Sequence, residues 1–281
     1  PQETLKGKPL QIIQANLAGE LIASTERFWS HRWLCQEDLE SDVQVLPHCA
    51  LGATQETKDS NIAIGVEVGT LIGRWEKQSQ PKWIYKKQEF DVWGSMINSF
   101  EYGEVLFASD RYIGDPIDDE AIDFEHGNDE RYKVYSYLND VSEWLVKIAK
   151  TERTTNEQGE VLRESHHYYD GDAEVGLPLG QVSAGLLTRK SVWLKDQNQE
   201  RWIDETRKSY TIHGQPHTIR DAEGFQRELI YEDQTGFVLI GELSHGASEE
   251  LAYTAQSDLG TGLMVSAINY NGGAFTFVYD G

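Results

Sequence analysis

The chain has 281 residues, with 25 Lys and Arg against 47 Asp and Glu, a formal charge of −22 at pH 7. That balance argues against a nucleic-acid binder, which needs cations to displace phosphate counterions, and against docking on an anionic membrane surface. With 39% hydrophobic residues, 8 Trp and 13 Tyr, the chain has enough apolar surface to fold, and no apolar run reaches the roughly 18 residues of a membrane span.

The amino terminus, Pro1-Gln2-Glu3-Thr4-Leu5-Lys6, shows no initiator Met, basic n-region or apolar h-region. It does not read as a signal peptide, and the chain reads as part of something longer. Residues 10–14, 61–69, 83–85 and 104–107 read as strands divided by polar, Gly-containing loops. Cys35 and Cys49 are too few for a disulfide framework or an all-Cys zinc site. Buried free thiols are the favoured reading, with a single disulfide as the alternative.

Residues 110–130 are acidic and include Pro116. They read as an exposed loop, the boundary between an irregular β-rich segment, 1–130, and a hairpin-rich segment, 131–281. Past it, residues 144–151 run into Asn156-Glu157-Gln158-Gly159 and return through 161–163 to Tyr168-Tyr169, which reads as a hairpin. Tyr132, Tyr135, Leu138, Val141, Trp144, Leu145 and Ile148 also fit a helical stripe, so a short helix before residue 143 stays open.

An internal repeat follows. Gly214, Asp221, Gly224 and Tyr231 match Gly262, Asn269, Gly272 and Tyr279 at an offset of 48 residues, each copy closing on an acid, Glu232 or Asp280. The Asp/Asn-x-x-Gly segment is a turn, since a short acceptor side chain bonds its own backbone and Gly takes a positive φ. Phe275, Phe277 and Tyr279 alternate as on a strand. The unit reads as strand, tight turn, strand. Together these signals predict an all-β fold of antiparallel hairpins in an extended curved sheet, with little helix.

Tyr169-Asp170-Gly171, then Leu177-Pro178-Leu179-Gly180-Gln181, then Gly185-Leu186-Leu187-Thr188-Arg189 resemble the B component of bacterial insecticidal toxin complexes. The match is to its middle region, where that region passes into RHS (YD) repeats, and the two later units are similar to successive YD repeats. Leu5-Lys6-Gly7 is similar to the segment that opens the middle region. The first copy departs from the pattern in ending Tyr231-Glu232. The resemblance implies a structural role: a wall segment of a hollow β-strand shell that encloses a cytotoxic cargo. It implies as partners the remaining repeats of the parent chain and a C-type component, in a secreted complex. Repeats that pair only with their neighbours suit such a wall.

Candidate chemistry is weaker than its structural alternative at every place. His166, His167, His213 and His217 invite a metal reading, but they sit in predicted strand and turn rather than on one helical face. The acidic run Asp115, Asp118, Asp119, Glu120, Asp123 and Glu125 lacks the spacing of a calcium loop. Trp29, Trp33, Trp75, Trp83 and Trp93 would suit a carbohydrate site but serve equally as packing aromatics. No nucleophile elbow, phosphate loop or His-Glu-x-x-His segment occurs. The expectation is no enzyme, cofactor, metal, nucleic acid or membrane insertion. A free-standing β-sandwich module for carbohydrate or a host surface is the alternative.

Overall fold

The computed structural model describes residues 11–33, 63–75, 81–91, 93–107, 124–127, 129–196, 199–245 and 250–279. Cys35, Cys49, the Leu5-Lys6-Gly7 segment, the acidic residues 115–123 and Asp280 lie outside them. The described residues form 17 strands and no helix, so the all-β antiparallel expectation holds. The contacts divide the chain into two units, Pro1–Glu164 and Ser165–Gly281, and the division falls within β9, Val161–Tyr169.

The first unit contains β1 (Gln11–Ala15), β2 (Leu21–Trp33), β3 (Ala63–Arg74), β4 (Lys82–Phe90), β5 (Met96–Phe107), β6 (Phe124–His126), β7 (Arg131–Asp140) and β8 (Leu145–Thr155). β1 to β4 each pair antiparallel with the next strand, β5 pairs with both β6 and β7, and β7 pairs with β8. The helical alternative for 132–143 is overturned, because β7 pairs with β5 and β8 along that segment. Residues 124–126 fall inside the stretch read as a loop, yet they form β6 against residues 105–107. The strand expected to begin at Trp144 begins at Leu145, since Trp144 stands in the turn at φ 58°.

Register explains where the core of this unit sits. Ser24, Gly73, Trp83 and Val105 are successive partners across four strands, and Glu26, Leu71, Tyr85 and Gly103 form the parallel row. Directly opposite residues share a face, so these rows bring Leu71, Trp83, Tyr85 and Val105 together, with Phe28 and Tyr102 packed against them. Gly73 is required there: a Cβ on it would lie 2.8 Å from the Trp83 ring. Two inward positions of β2, Ser24 and Glu26, are polar and buried beside Phe28. A strand whose buried face is polar lacks the apolar alternation that sequence reading relies on, which is why β2 escaped prediction.

The second unit runs from the end of β9 through β10 (Leu187–Asp196), β11 (Gln199–Tyr210), β12 (Pro216–Asp221), β13 (Gln226–Tyr231), β14 (Leu239–His245), β15 (Glu250–Ser257), β16 (Met264–Ile268) and β17 (Ala274–Thr276). From β10 onward every strand pairs antiparallel with its successor. The two sequence repeats are the hairpins β12–β13 and β16–β17, with β14 and β15 between them. The strand expected through Tyr279 is shorter than its alternation suggests, ending at Thr276, with one further bond from the Phe277 N–H to the Val265 carbonyl at 3.0 Å.

Among the described residues one turn joins strands six times. Asn16, Asp91, Asn156, Thr211, Asp221 and Asn269 each accept, on the side-chain oxygen, the N–H four residues on, at 2.7–3.2 Å. The residue three on is Gly19, Gly94, Gly159, Gly214, Gly224 or Gly272, always at positive φ. This is the three-residue hairpin loop whose last position is left-handed and therefore favours glycine. Two longer variants start at Glu232 and Asp258 and close on Gly236 and Gly262, whose N–H groups donate to the carbonyls of those acids at 3.1 and 2.7 Å.

Candidate functional site

The junction after β9 is densely bonded to its own backbone. Tyr169 ends the strand buried, and burial first, then the nearby Tyr210 and Asp170, push its phenol up to about 12. Asp170 and Gly171 follow at φ 53° and 68°, two consecutive left-handed residues that reverse the chain. A Cβ on Gly171 would lie 2.8 Å from the Leu177 nitrogen, and one on Gly176 would lie 2.9 Å from the Tyr168 Cβ. Both glycines are therefore demanded by φ and by space.

Asp170 organises what comes next. Its Oδ2 accepts the N–H groups of Ser183, Ala184 and Gly185 at 2.7, 3.0 and 3.2 Å, and its Oδ1 accepts that of Leu186 at 2.9 Å. Burial raises this carboxyl, but the four donations outweigh it and hold Asp170 below the usual carboxylate range. The main chain seals the same loop. The Asp170 N–H donates to the Leu186 carbonyl at 2.8 Å and the Leu177 N–H to the Tyr169 carbonyl at 2.8 Å. The buried Thr188 hydroxyl donates to the Asp170 carbonyl at 2.9 Å, and Tyr210 donates to the Leu187 carbonyl at 2.5 Å.

Within the loop, Gly180 and Gly185 take positive φ, and the Gln181 N–H donates to the Pro178 carbonyl at 3.0 Å. Arg189 lies over the Tyr168 ring at 4.0 Å and 3.7 Å from Asp204. The loop is fastened outward as well: the Glu174 N–H donates to the Lys208 carbonyl at 3.0 Å, and its carboxylate sits 3.6 Å from Arg220.

The second Tyr–acid pair works alike. Glu232 accepts the N–H groups of Gln234, Thr235 and Gly236 at 2.6, 2.7 and 2.8 Å. With the Thr235 hydroxyl these donations hold its carboxyl low, the hydroxyl contributing most. The departure from Asp to Glu therefore keeps the function of the acid, on a side chain one methylene longer. Tyr231 donates to the Pro216 carbonyl at 2.9 Å, and Tyr279 to that of Met264 at 2.7 Å.

The arrangement is a latch. Its carboxylates are engaged by backbone donors and so anchor the direction of the chain. Sequence reasoning singled out Asp170, Gly185, Thr188 and Arg189 but missed Asp204 and the donors Ser183 and Ala184. It also missed the turns starting at Asn16, Asp91 and Thr211, although Asx-x-x-Gly stands in the sequence at the first two.

The other candidate residues are dispersed. His166 lies against Trp202 at 4.1 Å, His213 against Phe237 at 5.4 Å, and His217 3.4 Å from Glu228. Among the described residues no group of three His, Cys, Asp or Glu is placed to hold a metal ion, and no helix is long and apolar enough to cross a membrane. Trp75 meets Trp83 edge-on at 6.1 Å within the core of the first unit. Trp29 and Trp93 are half-buried, and Trp33 ends β2.

No family model matches the chain, and no curated protein does. Solved structures do. The complex of TcdB2 with TccC3 lacking its hypervariable C-terminal region superposes with a TM-score of 0.57 at 12% identity, over 98% of this chain. The TcdB2-TccC3-Cdc42 structure gives 0.58 at 12% and 98%, and TcdB2-TccC3-TEV gives 0.57 at 13% and 98%. The fold is shared with a toxin complex. The chain spans only 16% of the length of each of those chains, and at this identity the likeness is one of fold.

Proposed function

We propose that this chain is a structural segment of a β-strand shell in a toxin-delivery complex, part of the wall that encloses a cytotoxic cargo. The observation that carries the reading is the likeness to TcdB2-TccC3 over 98% of the chain, joined to Tyr–acid junctions whose carboxylates serve the backbone. The implied partners are the remaining repeats of a parent chain and a C-type component, assembled in a secreted complex. The role is mechanical rather than catalytic. Consecutive antiparallel hairpins bury little apolar surface individually and gain stability from the next strand, as stacked repeats do. In keeping with that, the described residues bury nine hydrophobics, only four of them in the second unit: Tyr169, Val192, Ala255 and Ala267.

Small-angle X-ray scattering of the 281-residue chain at several concentrations tests the reading, since a compact domain of this length has a radius of gyration of roughly 19 Å. A clearly larger value, or growth with concentration, is expected of a wall segment seeking neighbours. A value near 19 Å that is independent of concentration counts against it and favours a self-contained binding module.

A further inference from the structure

In the second unit, consecutive antiparallel strands bring alternate connections to one end. The loop at residues 170–186 and the turns at 211–215, 232–238 and 258–263 share that end. Two contacts fix the first three side by side. The Leu186 Cδ2 lies 3.9 Å from where a Cβ on Gly214 would stand, and the His213 and Phe237 rings are 5.4 Å apart.

Each connection turns a large apolar side chain to solvent: Val175 at 55% exposure, Ile212 at 97%, Phe237 at 58% and Leu259 at 45%. Exposed apolar groups in a row, rather than scattered singly, mark an interaction surface. Alternate connections are two strand spacings apart, about 9.6 Å, close to the heptad rise of an α-helix, about 10.5 Å. The same four segments contain Asp170, Asp172, Glu174, Glu232, Asp233 and Asp258 and no Lys or Arg. Asp170 and Glu232 are buried and taken up by backbone N–H groups of their own loops, so the carboxylates this end presents to a partner are the exposed Asp172 and Asp233. Glu174 is the one of these acids paired with a cation: it lies 3.6 Å from the Arg220 guanidinium, which also donates to Gln226 at 2.6 Å beside the turn at the opposite end.

We infer that this end of the second unit is a docking edge for a basic amphipathic helix of a partner protein. The helix would lay one apolar side chain per heptad against Val175, Ile212, Phe237 and Leu259, with its Lys and Arg facing the exposed Asp172 and Asp233. Apolar anchors supply the affinity, and the net negative charge of the exposed rim selects a cationic partner over an anionic one. The inference rests on residues 170–263 alone and does not require the shell reading.

The test uses the whole chain and a fluorescent synthetic peptide of about three heptads with Leu at the seam and Lys elsewhere, beside a sibling with Glu in place of Lys. Anisotropy is expected to show saturable binding of the Lys peptide, weaker at high salt, and none of the Glu peptide. The double variant Ile212→Ser/Phe237→Ser is expected to weaken binding by about tenfold. Phe225→Ser, in the turn at the opposite end, is expected to leave it unchanged. Circular dichroism confirms that each variant is folded. Equal binding by the double variant, or equal loss with Phe225→Ser, would reduce the interaction to general charge attraction and overturn the inference. Sedimentation closes the remaining case: self-association abolished by the double variant, with peptide binding untouched, would assign the edge to a second copy and overturn it too.

Discussion

The Tyr231 hydroxyl donates to the carbonyl oxygen of Pro216 at 2.9 Å, and 48 residues further on, for both partners, Tyr279 donates to Met264 at 2.7 Å. In each copy the tyrosine that precedes the closing acid reaches back to the first residue of the opening strand. The bond closes the hairpin across its open end, where ladder bonds run out, so the tyrosine is a clasp that defines the length of the unit.

Removing the clasp should loosen the hairpin without disturbing its core. Tyr231→Phe is expected to lower stability by about 1 kcal/mol, the net worth of one neutral hydrogen bond, read as a shift in the urea midpoint. Hydrogen exchange should accelerate first in β12 and β13. A midpoint unchanged within error, with exchange also unchanged, would remove the clasp from the account.

Asp170 is expected to matter more, because four N–H groups lose their acceptor together. Asp170→Ala should cost about 3 kcal/mol or more, since charge-assisted bonds are stronger and buried donors left unmade are costly. Asp170→Asn, which keeps one acceptor oxygen, should fall between wild type and Ala. If Asn destabilises as much as Ala, the carboxylate acts through its charge and not as a four-fold acceptor.

Acid should act through Glu242. The bidentate contact with Arg227 at 2.8 and 2.7 Å and the Tyr270 hydroxyl at 2.7 Å bring its carboxyl down to about 2. A folded-state value below the unfolded one contributes stability that is complete above the unfolded value and lost as pH falls through the folded one. The stability difference between wild type and Glu242→Gln should therefore be widest near neutrality. It should narrow as pH drops from about 4.5 towards 2. Repulsion among the other carboxylates is common to both proteins and cancels. A difference that stays constant over that window would contradict the assignment.

Gly73→Ala tests the packing of the first unit. The new methyl would meet the Trp83 ring at 2.8 Å, the Ser24 hydroxyl at 3.0 Å and the Trp75 ring at 3.2 Å. Overpacking of this kind costs about 1–3 kcal/mol, and near-ultraviolet circular dichroism should change as the indoles shift. A variant as stable as wild type, with the same aromatic spectrum, would show that the Trp83 ring has room to move.

Legibility in the sequence followed local chemistry. The turns at Asn156, Asp221 and Asn269 could be read because acceptor and glycine stand three residues apart. So could the all-β class, from alternation and aromatic content. The junction after β9 was visible as a block of glycines around Asp170, but its bonding was not, since the donors at 183–186 lie 13 to 16 residues away. The resemblance to a toxin B component rested on that block, and the shared fold with TcdB2-TccC3 agrees with it. β2 was hidden by Ser24 and Glu26 on its buried face, and β6 by the acidic stretch around it.

By itself, then, the sequence determined that the chain builds antiparallel hairpins, where several of them reverse, and that a unit recurs at an offset of 48 residues. These are consequences of φ preference and of side chains bonding their own backbone, effects that act over four or five residues. Only the tertiary structure decided which strands face one another in register, which backbone donors Asp170 and Glu232 accept, and that Val175, Ile212, Phe237 and Leu259 share one end. Those outcomes depend on pairing between segments tens of residues apart, where the partner and not the local pattern sets what each side chain meets.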